Sequence, residues 1–128
     1  MDSIKKQLTF FGSALNIRNK RNDIIASNIA NAATPNYKAR DINFLDEFKE
    51  VTNTGEIKTT HSNHIPTKNY NISGKAFYRD PVIASLDGNT VELSVEQMQF
   101  AENTMKYQTT LKFLNGKITK MISAIRGE

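Results

Sequence analysis

The sequence of 128 residues contains neither cysteine nor tryptophan. The absence of cysteine excludes a disulfide framework and a cysteine nucleophile. It does not indicate a compartment, because a chain without thiols is compatible with either redox environment. No run of apolar residues approaches the ~20 that are needed to span a bilayer. Only 38% of the residues are hydrophobic, so we expect one domain with a modest core, part of it poorly buried in isolation.

The pattern of a cleaved secretory signal is also missing. The N-terminal stretch MDSIKKQLTFFGSALNIRNK lacks a basic segment followed by an unbroken apolar run. We therefore predict that neither a signal peptide nor a membrane span takes the protein to its compartment.

Charge of one sign is not concentrated anywhere in the chain. The 17 Lys and Arg residues are interleaved with 13 acidic residues, for a net charge of +4. A nucleic-acid binder would gather positive charge on one face. The one dense cluster, RNKR at Arg18 to Arg21, points around a helix, so we interpret it as a solvated helix surface. The alternative, a small basic nucleic-acid binder, would bind DNA in a salt-sensitive way.

Candidate catalytic chemistry is sparse. His61 and His64 form an H-x-x-H pair, but no nearby ligand completes a metal site, so we interpret them as exposed loop residues. The DGN sequence at Asp87 to Asn89 lacks the order of a calcium loop and predicts a turn. Three carboxylates are predicted to share an exposed helical face: Asp46, Glu47 and Glu50. We predict no enzyme activity, no cofactor, no metal and no small-molecule ligand.

A long amphipathic helix is predicted at the N-terminus. Between Asp2 and Ala32, apolar residues recur on one register of four and three, which is interrupted at Arg18 and Asn22. We call the residues on this register the seam of the helix, and they are Ile4, Leu8, Phe11, Leu15, Ile25 and Ile29. Ala14, Ile17 and Ile24 widen the stripe. The helix would run for about 28 residues, or roughly 42 Å.

The C-terminal helix shows a more regular seam. Its residues follow alternating spacings of four and three, with Thr104 as the one polar member. The apolar members are Phe100, Tyr107, Leu111, Leu114, Ile118, Met121 and Ile125. The SVEQ sequence predicts a capping box with Ser94 as N-cap and Gln97 reaching back. Gly127 is typical of a helix stop.

These two helices predict a mainly α fold in which the terminal helices pack as an antiparallel coiled-coil pair. Apolar residues are left over on both helices: Met98, Ala101 and Met105 on one, Ile17 and Ile24 on the other. A two-helix hairpin cannot cover them, so further helices must come from elsewhere.

The loop-rich middle segment supplies little core. Ile42 or Phe44, with Leu45, Phe48 and Val51, predicts a short helix of two or three turns. Phe77 and Tyr78, with Ile72, carry the strongest β signals, for at most a few short strands. Asp87-Gly88 predicts a turn. We divide this single structural domain into an N-terminal rod-like helix at 1–36, a connecting segment at 37–93 and a C-terminal helix at 94–128.

The end of the first helix is unusually polar. Small residues alternate there with Ser27, Asn28 and Asn31, so one face is expected to approach another backbone closely while the amides bond across. Pro35 bars further helix. Asn36 is predicted to adopt a left-handed conformation that completes a tight turn, and the ring of Tyr37 to dock back on the helix.

The stretch SNIANAATPNYKARDINF at Ser27 to Phe44 resembles the signature of the flagellar basal-body rod protein family, S-N-I-A-N-x-x-T-P-G-Y-K. The matching residues are Ser27, Asn28, Ile29, Ala30, Asn31, Thr34, Pro35 and Tyr37. KTTHSNHI and DGNTVELSVEQMQFAENTMKYQ are similar to the proximal members of that family. Asn36 replaces the usual glycine, and Ala33 stands where Asp or Asn is common.

The resemblance implies a structural subunit of the bacterial flagellum that polymerises into the helical rod across the periplasm and serves motility. It implies export by the flagellar type III gate without a cleaved signal. Its implied partners are other copies of itself, the basal-body protein FliE, the rod protein FlgC and the export gate. The seam and leftover apolar residues would then be subunit interfaces.

Two questions stay open at this stage. Phe11 and Leu15 are either read during export or are core residues only. A soluble coiled-coil adaptor or chaperone would also show long seamed helices, but it has no need for the loop-rich middle or the asparagine-rich helix end.

Overall fold

The computed structural model describes residues 2–53, 74–81 and 85–127, and within the first range the side chains of residues 4–50. Three helices and two short strands follow one another along the chain. They are α1 (Asp2–Ala30), β1 (Arg40–Ile42), α2 (Phe44–Asn53), β2 (Ala76–Tyr78) and α3 (Leu93–Arg126). No helix in these ranges is long and apolar enough to cross a membrane.

The two terminal helices lie side by side in opposite directions. Asn28 near the end of α1 contacts Glu96 at the start of α3, and Asn22 contacts Asn103 one heptad further on. Near the other end of the pair, Lys6 and Lys117 line the same groove. The predicted mainly α fold, with long terminal helices packed together, is therefore confirmed.

The apolar core of the described chain is small. Its buried hydrophobic residues are Ala14, Ile17, Ile25, Ala39 and Ile42. The prediction that Ile17 belongs to an uncovered stripe is wrong, because its side chain is 0% exposed. The fully buried residues of α3 are polar, namely Glu96 and Asn103. Burial of apolar side chains within one chain therefore stabilises the packing of α1 on α3 only in part, and polar contacts contribute the rest.

The ends of α3 test the capping predictions. The helix begins at Leu93, and its N-cap is Glu92, whose side chain makes no capping hydrogen bond. Ser94 as N-cap is therefore wrong. The extended conformation of Glu92 starts the helix earlier, and Ser94 falls within its first turn. At the other end, Gly127 has φ 78° and donates its N–H to the carbonyl oxygen of Ser123, so the predicted stop is confirmed.

A two-stranded antiparallel ribbon crosses the helix pair near the end of α1. Asp41 of β1 is the partner of Phe77 in β2, and Arg40 is the partner of Tyr78. The β signals of Phe77 and Tyr78 are thereby confirmed. Of the two residues considered for the first position of the short helix, Ile42 lies instead in β1 and Phe44 begins α2. Ile72 lies outside the described residues.

The short helix α2 is confirmed at ten residues, but one predicted packing residue is wrong. Leu45 is 65% exposed, whereas Phe44 stacks on Phe48 with ring centroids 5.5 Å apart. Phe48 meets the edge of Phe10 on α1 at 4.8 Å. An aromatic contact therefore holds α2 against α1.

The exposed carboxylate face predicted on α2 is wrong at Glu47. This side chain is buried, and its two oxygens accept hydrogen bonds from the backbone N–H groups of Gly74 and Lys75 at 2.9 and 2.8 Å. Glu47 thus fixes the start of the segment that leads into β2. Its apolar neighbours along the helix gave no sign of this role.

Candidate subunit interface and polar junction

The buried amide of Asn28 holds the end of α1 to β1. Its Nδ2 donates to the backbone oxygen of Arg40 at 2.7 Å, and its Oδ1 accepts from the backbone N–H of Arg40 at 3.1 Å. The same Nδ2 lies 3.1 Å from Glu96 Oε2. One side chain therefore joins α1, β1 and α3. This agrees with the expectation that amides on this face of the helix bond across to a neighbouring backbone.

The carbonyl groups of the turn that follows α1 accept hydrogen bonds from one side chain of a distant loop. Asn89 Nδ2 donates to the backbone oxygens of Asn31, Ala32 and Thr34 at 2.9–3.1 Å. A helix end buried without such partners would be costly. The turn predicted for the DGN sequence is present, with Gly88 N–H bonded to Ser85. The capping role of Asn89 was missed, because nothing in the local sequence links it to residues 31–34.

The residue after the proline has a left-handed backbone conformation, as predicted. Asn36 has φ 61°, and its N–H donates to the backbone oxygen of Asp87 at 2.9 Å. A Cβ added to Gly88 would lie 2.5 Å from Asn36 Oδ1, so the loop and the motif approach closely. The hydroxyl groups of Ser27 and Tyr37 lie 3.2 Å apart, which confirms that Tyr37 docks on the helix.

A cluster of ionised and amide side chains lies beside Asn28, where α1, β1, the residue after β2 and α3 meet. We call it the polar junction, and its members are Arg21, Asn28, Asp41, Arg79, Glu96 and Gln99. Arg21 Nε and Nη2 bond the two oxygens of Asp41 at 2.8 and 2.9 Å. Such a bidentate pair has a fixed geometry and is stronger than a neutral hydrogen bond.

Arg79 completes the junction from the other side. Its guanidinium donates to Glu96 Oε1 at 2.7 Å, to Gln99 Oε1 at 2.8 Å and to Asp41 Oδ2 at 2.9 Å. Two guanidinium groups thus compensate two buried carboxylates. Buried charges are stable only when they are paired and hydrogen-bonded in this manner.

The pKa values of the junction follow from these contacts. Burial by itself would raise the pKa of Asp41. The hydrogen bonds and charge of Arg21, with the Ile42 N–H and Arg79, outweigh burial and lower that pKa below its usual value. The hydrogen bond to Asp41 raises the pKa of Arg21 in turn. Asp41 and Arg21 therefore remain an ion pair over the whole physiological range of pH.

The basic cluster at Arg18 to Arg21 is not the solvated surface predicted from the sequence. Arg21 belongs to the polar junction, and the guanidinium carbon of Arg18 lies 4.3 Å from the centre of the Phe44 ring. Burial lowers the pKa of Arg18, with a further contribution from Arg21. Two of these cations therefore serve the fold, which leaves less positive charge for a nucleic-acid surface.

The predicted seam residues are only partly covered by their own chain. Ile25 is buried, whereas the remaining members on α1 are half-buried or exposed: Ile4, Leu8, Phe11, Leu15 and Ile29. On α3, three members are half-buried, namely Tyr107, Leu114 and Met121. Four others are exposed, namely Phe100, Leu111, Ile118 and Ile125. The face of α3 that is fully buried against α1 is thus centred on Glu96 and Asn103, and the apolar seam lies partly outside it.

An exposed apolar stripe on α3 combines three residues of the predicted seam with Ile122 beside it. We call it the flank stripe, and it consists of Leu111, Ile118, Ile122 and Ile125. At 100° per residue, these four residues lie roughly 20° to 80° around α3 from the buried position of Glu96, all on the same side of it. All are exposed, from 37% at Leu111 to 85% at Ile125. Met98, Met105 and Phe113 are exposed elsewhere on the same helix.

A groove of about 570 Å³ lies between the other ends of the two helices. Phe10 and Phe11 of α1 line it together with Lys6, Gln7 and Lys117. The two phenylalanine rings meet edge to face at 5.5 Å. The groove thus continues the partly covered apolar surface towards the N-terminus of α1.

No group of three or more potential metal ligands occurs in the part of the chain that the structure describes. His61 and His64 lie outside it.

Sequence comparison relates the chain to known proteins. The sequence profile of the family described as Flagella basal body rod protein matches residues 8–38, which include most of α1 and the motif at its end. The flagellar basal body rod protein FlgB of a Cereibacter sphaeroides strain is 50% identical over 128 residues, covering 100% of both chains. FlgB of Salmonella typhimurium is 42% identical, covering 99% of this chain and 98% of the relative. FlgB of Escherichia coli K12 is 40% identical, covering 98% and 97%.

The chain therefore belongs to the flagellar basal body rod protein family, with relatives along its whole length that are FlgB proteins. This family is structural and not enzymatic. Both the resemblance read from the motif and the prediction of a non-enzymatic structural protein are confirmed.

Proposed function

We propose that the protein is a subunit of the proximal rod, which polymerises through α1 and α3 into the helical shaft of the basal body. In this role it transmits motor torque, contributes to the wall of the export channel and is needed for motility. The proposal rests on membership of a rod protein family and on the uncovered apolar surface of the terminal helices.

The observation that carries the proposal is the contrast between the inside and the outside of α3. Its fully buried residues are polar, whereas its flank stripe is apolar and exposed. In a protein that worked alone, this distribution would leave a contiguous apolar surface in water. In a helical lattice, neighbouring subunits cover the flank stripe through heterologous contacts that do not close on themselves.

The partners follow from the position in the rod. We propose that other copies of the chain cover the flank stripe and the seam, and that FliE, FlgC and the export gate contact the ends of the assembly. We also propose that the rod crosses the periplasm and that its subunit is exported without a cleaved signal.

The test places a charge on the flank stripe without disturbing the single chain. Ile122 is 45% exposed, so Ile122→Asp leaves the folded subunit intact but places a desolvated charge against the neighbour. Ala124→Asp is the matched control, because Ala124 is exposed, two residues away and on the opposite face of α3.

We expect both variants to have the thermal stability of the native subunit. Ile122→Asp should abolish swimming in soft agar and remove the rod from purified basal bodies, whereas Ala124→Asp should retain both. Normal basal bodies in the Ile122→Asp strain would refute the assembly through α3. Equal loss in both strains would mean that the flank stripe has been assigned to the wrong face.

A further inference from the structure

Polar contacts fix the register of α3 against α1. Among the described side chains of α3, the fully buried ones are Glu96 and Asn103, which lie seven residues apart on one face. Asn103 donates to Asn22 Oδ1 at 2.7 Å, and Glu96 accepts from Asn28 and Arg79. A shift of α3 along α1 would leave a buried carboxylate and a buried amide without partners, so other registers are disfavoured.

The cation that compensates Glu96 comes from outside the helix pair. Arg79 directly follows β2, and its backbone N–H extends the strand pairing by donating to the oxygen of Ala39 at 2.9 Å. Its guanidinium then reaches Glu96 Oε1 at 2.7 Å. The position of this guanidinium therefore depends on the pairing of β2 with β1.

We propose that Arg79 is a positioning residue that couples the ribbon to the helix pair. Pairing of β1 with β2 positions the guanidinium group of Arg79 beside Glu96. This contact allows α3 to pack against α1 in its native register. The ribbon thus controls whether the single subunit presents a correctly aligned helix pair. This inference concerns the isolated chain and is independent of the proposed place in the rod.

The hydrogen bonds predict which side chain suffers when Arg79 is removed. Asp41 keeps its bidentate contact with Arg21, whereas Glu96 loses its direct ion pair and keeps the hydrogen bond from Asn28 and the more distant charge of Arg21. The side chain of Glu96 is 1% exposed, so its charge cannot be solvated in place. The carboxylate that loses its direct ion pair lies on α3, and its solvation requires α3 to shift or detach.

The test measures helix register in the purified full-length chain. Because the chain has no cysteine, spin labels at Asn16→Cys and Lys112→Cys report one distance between α1 and α3 by pulsed electron paramagnetic resonance. Both positions are exposed. We expect one narrow distance in the native sequence. In Arg79→Met the ratio of native to displaced populations should fall by about tenfold or more.

Two further variants provide matched comparisons. Arg40→Met removes an exposed arginine from β1 with the same change of charge, and it should leave the distance unchanged. Arg79→Lys should be intermediate, because an ammonium group keeps the charge but cannot reproduce the three fixed contacts of the guanidinium. A loss in Arg40→Met equal to that in Arg79→Met would overturn the proposal.

The decisive variant combines Arg79→Met with Glu96→Gln. The neutral amide needs no cation, so the native distance should return. If Arg79→Met alone keeps the single native distance, or if the double variant stays displaced, the proposed coupling is wrong. If circular dichroism shows that Arg79→Met does not fold, the double variant still tests the proposal. Recovered helix content with the native distance supports the proposal, and continued unfolding overturns it.

Discussion

Asn28 pairs with Arg40 as a neighbouring β-strand would. Its side-chain amide accepts from the Arg40 N–H at 3.1 Å and donates to the Arg40 oxygen at 2.7 Å. The edge of β1 that faces α1 is thereby satisfied by a helix residue. The asparagine of the rod family motif thus has a physical role within the single chain, which is to join the end of a long helix to a two-stranded ribbon.

Replacement of Asn28 should destabilise the subunit strongly. Asn28→Ala leaves the backbone N–H and oxygen of Arg40 without this partner and removes a hydrogen bond to the buried Glu96, and we expect a loss of about 3 kcal/mol in the free energy of unfolding. Asn28→Asp should be at least as damaging, because it sets a second carboxylate against Glu96. Urea unfolding measures both. Asn19→Ala, at an exposed position on the same helix, should stay within about 0.5 kcal/mol of the native value. Comparable stability of all three variants would contradict the role of Asn28.

The left-handed conformation of Asn36 makes a conformational prediction. Asn36→Gly should be tolerated, whereas Asn36→Val should cost about 1–2 kcal/mol, because a β-branched residue is strained at φ 61°. Ala33→Val is the control at an exposed neighbour whose φ is not positive. Thermal unfolding distinguishes the variants. Equal melting temperatures for Asn36→Gly and Asn36→Val would show that the turn is not strained.

Loss of the Asn89 side chain should loosen the turn that follows α1 and so destabilise the end of the helix. Asn89→Ala removes the donor shared by the carbonyl groups of Asn31, Ala32 and Thr34, and we expect a loss of about 2 kcal/mol. Amide hydrogen exchange should accelerate in the last turn of α1 before it does so in the middle. Asn115→Ala, on the exposed face of α3, should leave both quantities unchanged. Unaltered exchange in Asn89→Ala would exclude the capping role.

The acid sensitivity of the subunit should depend on Asp41. The pKa of its carboxyl group is lower in the folded chain than in the unfolded chain, so its stabilising contribution is present above the unfolded pKa. That contribution is lost as the pH falls through the folded pKa. Asp41→Asn should therefore lower stability near pH 7 and flatten the fall between about pH 5 and pH 2. Denaturant unfolding as a function of pH measures this slope.

Asp87→Asn is the control for the fall in stability at low pH. The pKa of Asp87 is also lowered, by the hydrogen bond from Ser85, but this carboxylate is at the surface, where water screens its interactions. Its replacement should change the slope much less. If Asp41→Asn keeps the native dependence on pH, the ion pair with Arg21 does not contribute to stability.

The local elements were predictable because each depends on residues close together in the chain. The spacing of apolar residues predicted both long helices, Gly127 predicted the stop of α3, and Asn36 predicted a left-handed turn. Phe77 and Tyr78 predicted the second strand. Where two local signals competed, the prediction was less accurate, as at Ser94, where the extended Glu92 starts the helix earlier.

The polar junction could not be predicted in the same way. Arg21 and Asp41 are separated by 20 residues, and Arg21 and Gln99 by 78. In the sequence, Arg21 belongs to a basic cluster, and Glu47 to an acidic helix face. Both side chains are withdrawn from solvent only because a distant segment folds over them. A contact between residues far apart in the chain leaves no periodic pattern in the sequence. Each residue was therefore interpreted as part of a solvated surface.

By itself the sequence determined that the chain forms two long amphipathic helices with more apolar surface than one pair covers. Its asparagine-rich motif determined the family. Helix periodicity and turn chemistry are local properties, which is why both are readable without a structure. Only the tertiary structure decided that polar side chains align the helices, that Asn89 caps α1 and that Ile17 is core. Those outcomes depend on which distant groups meet, and the energy of a buried charge or amide is set by the partner it finds there.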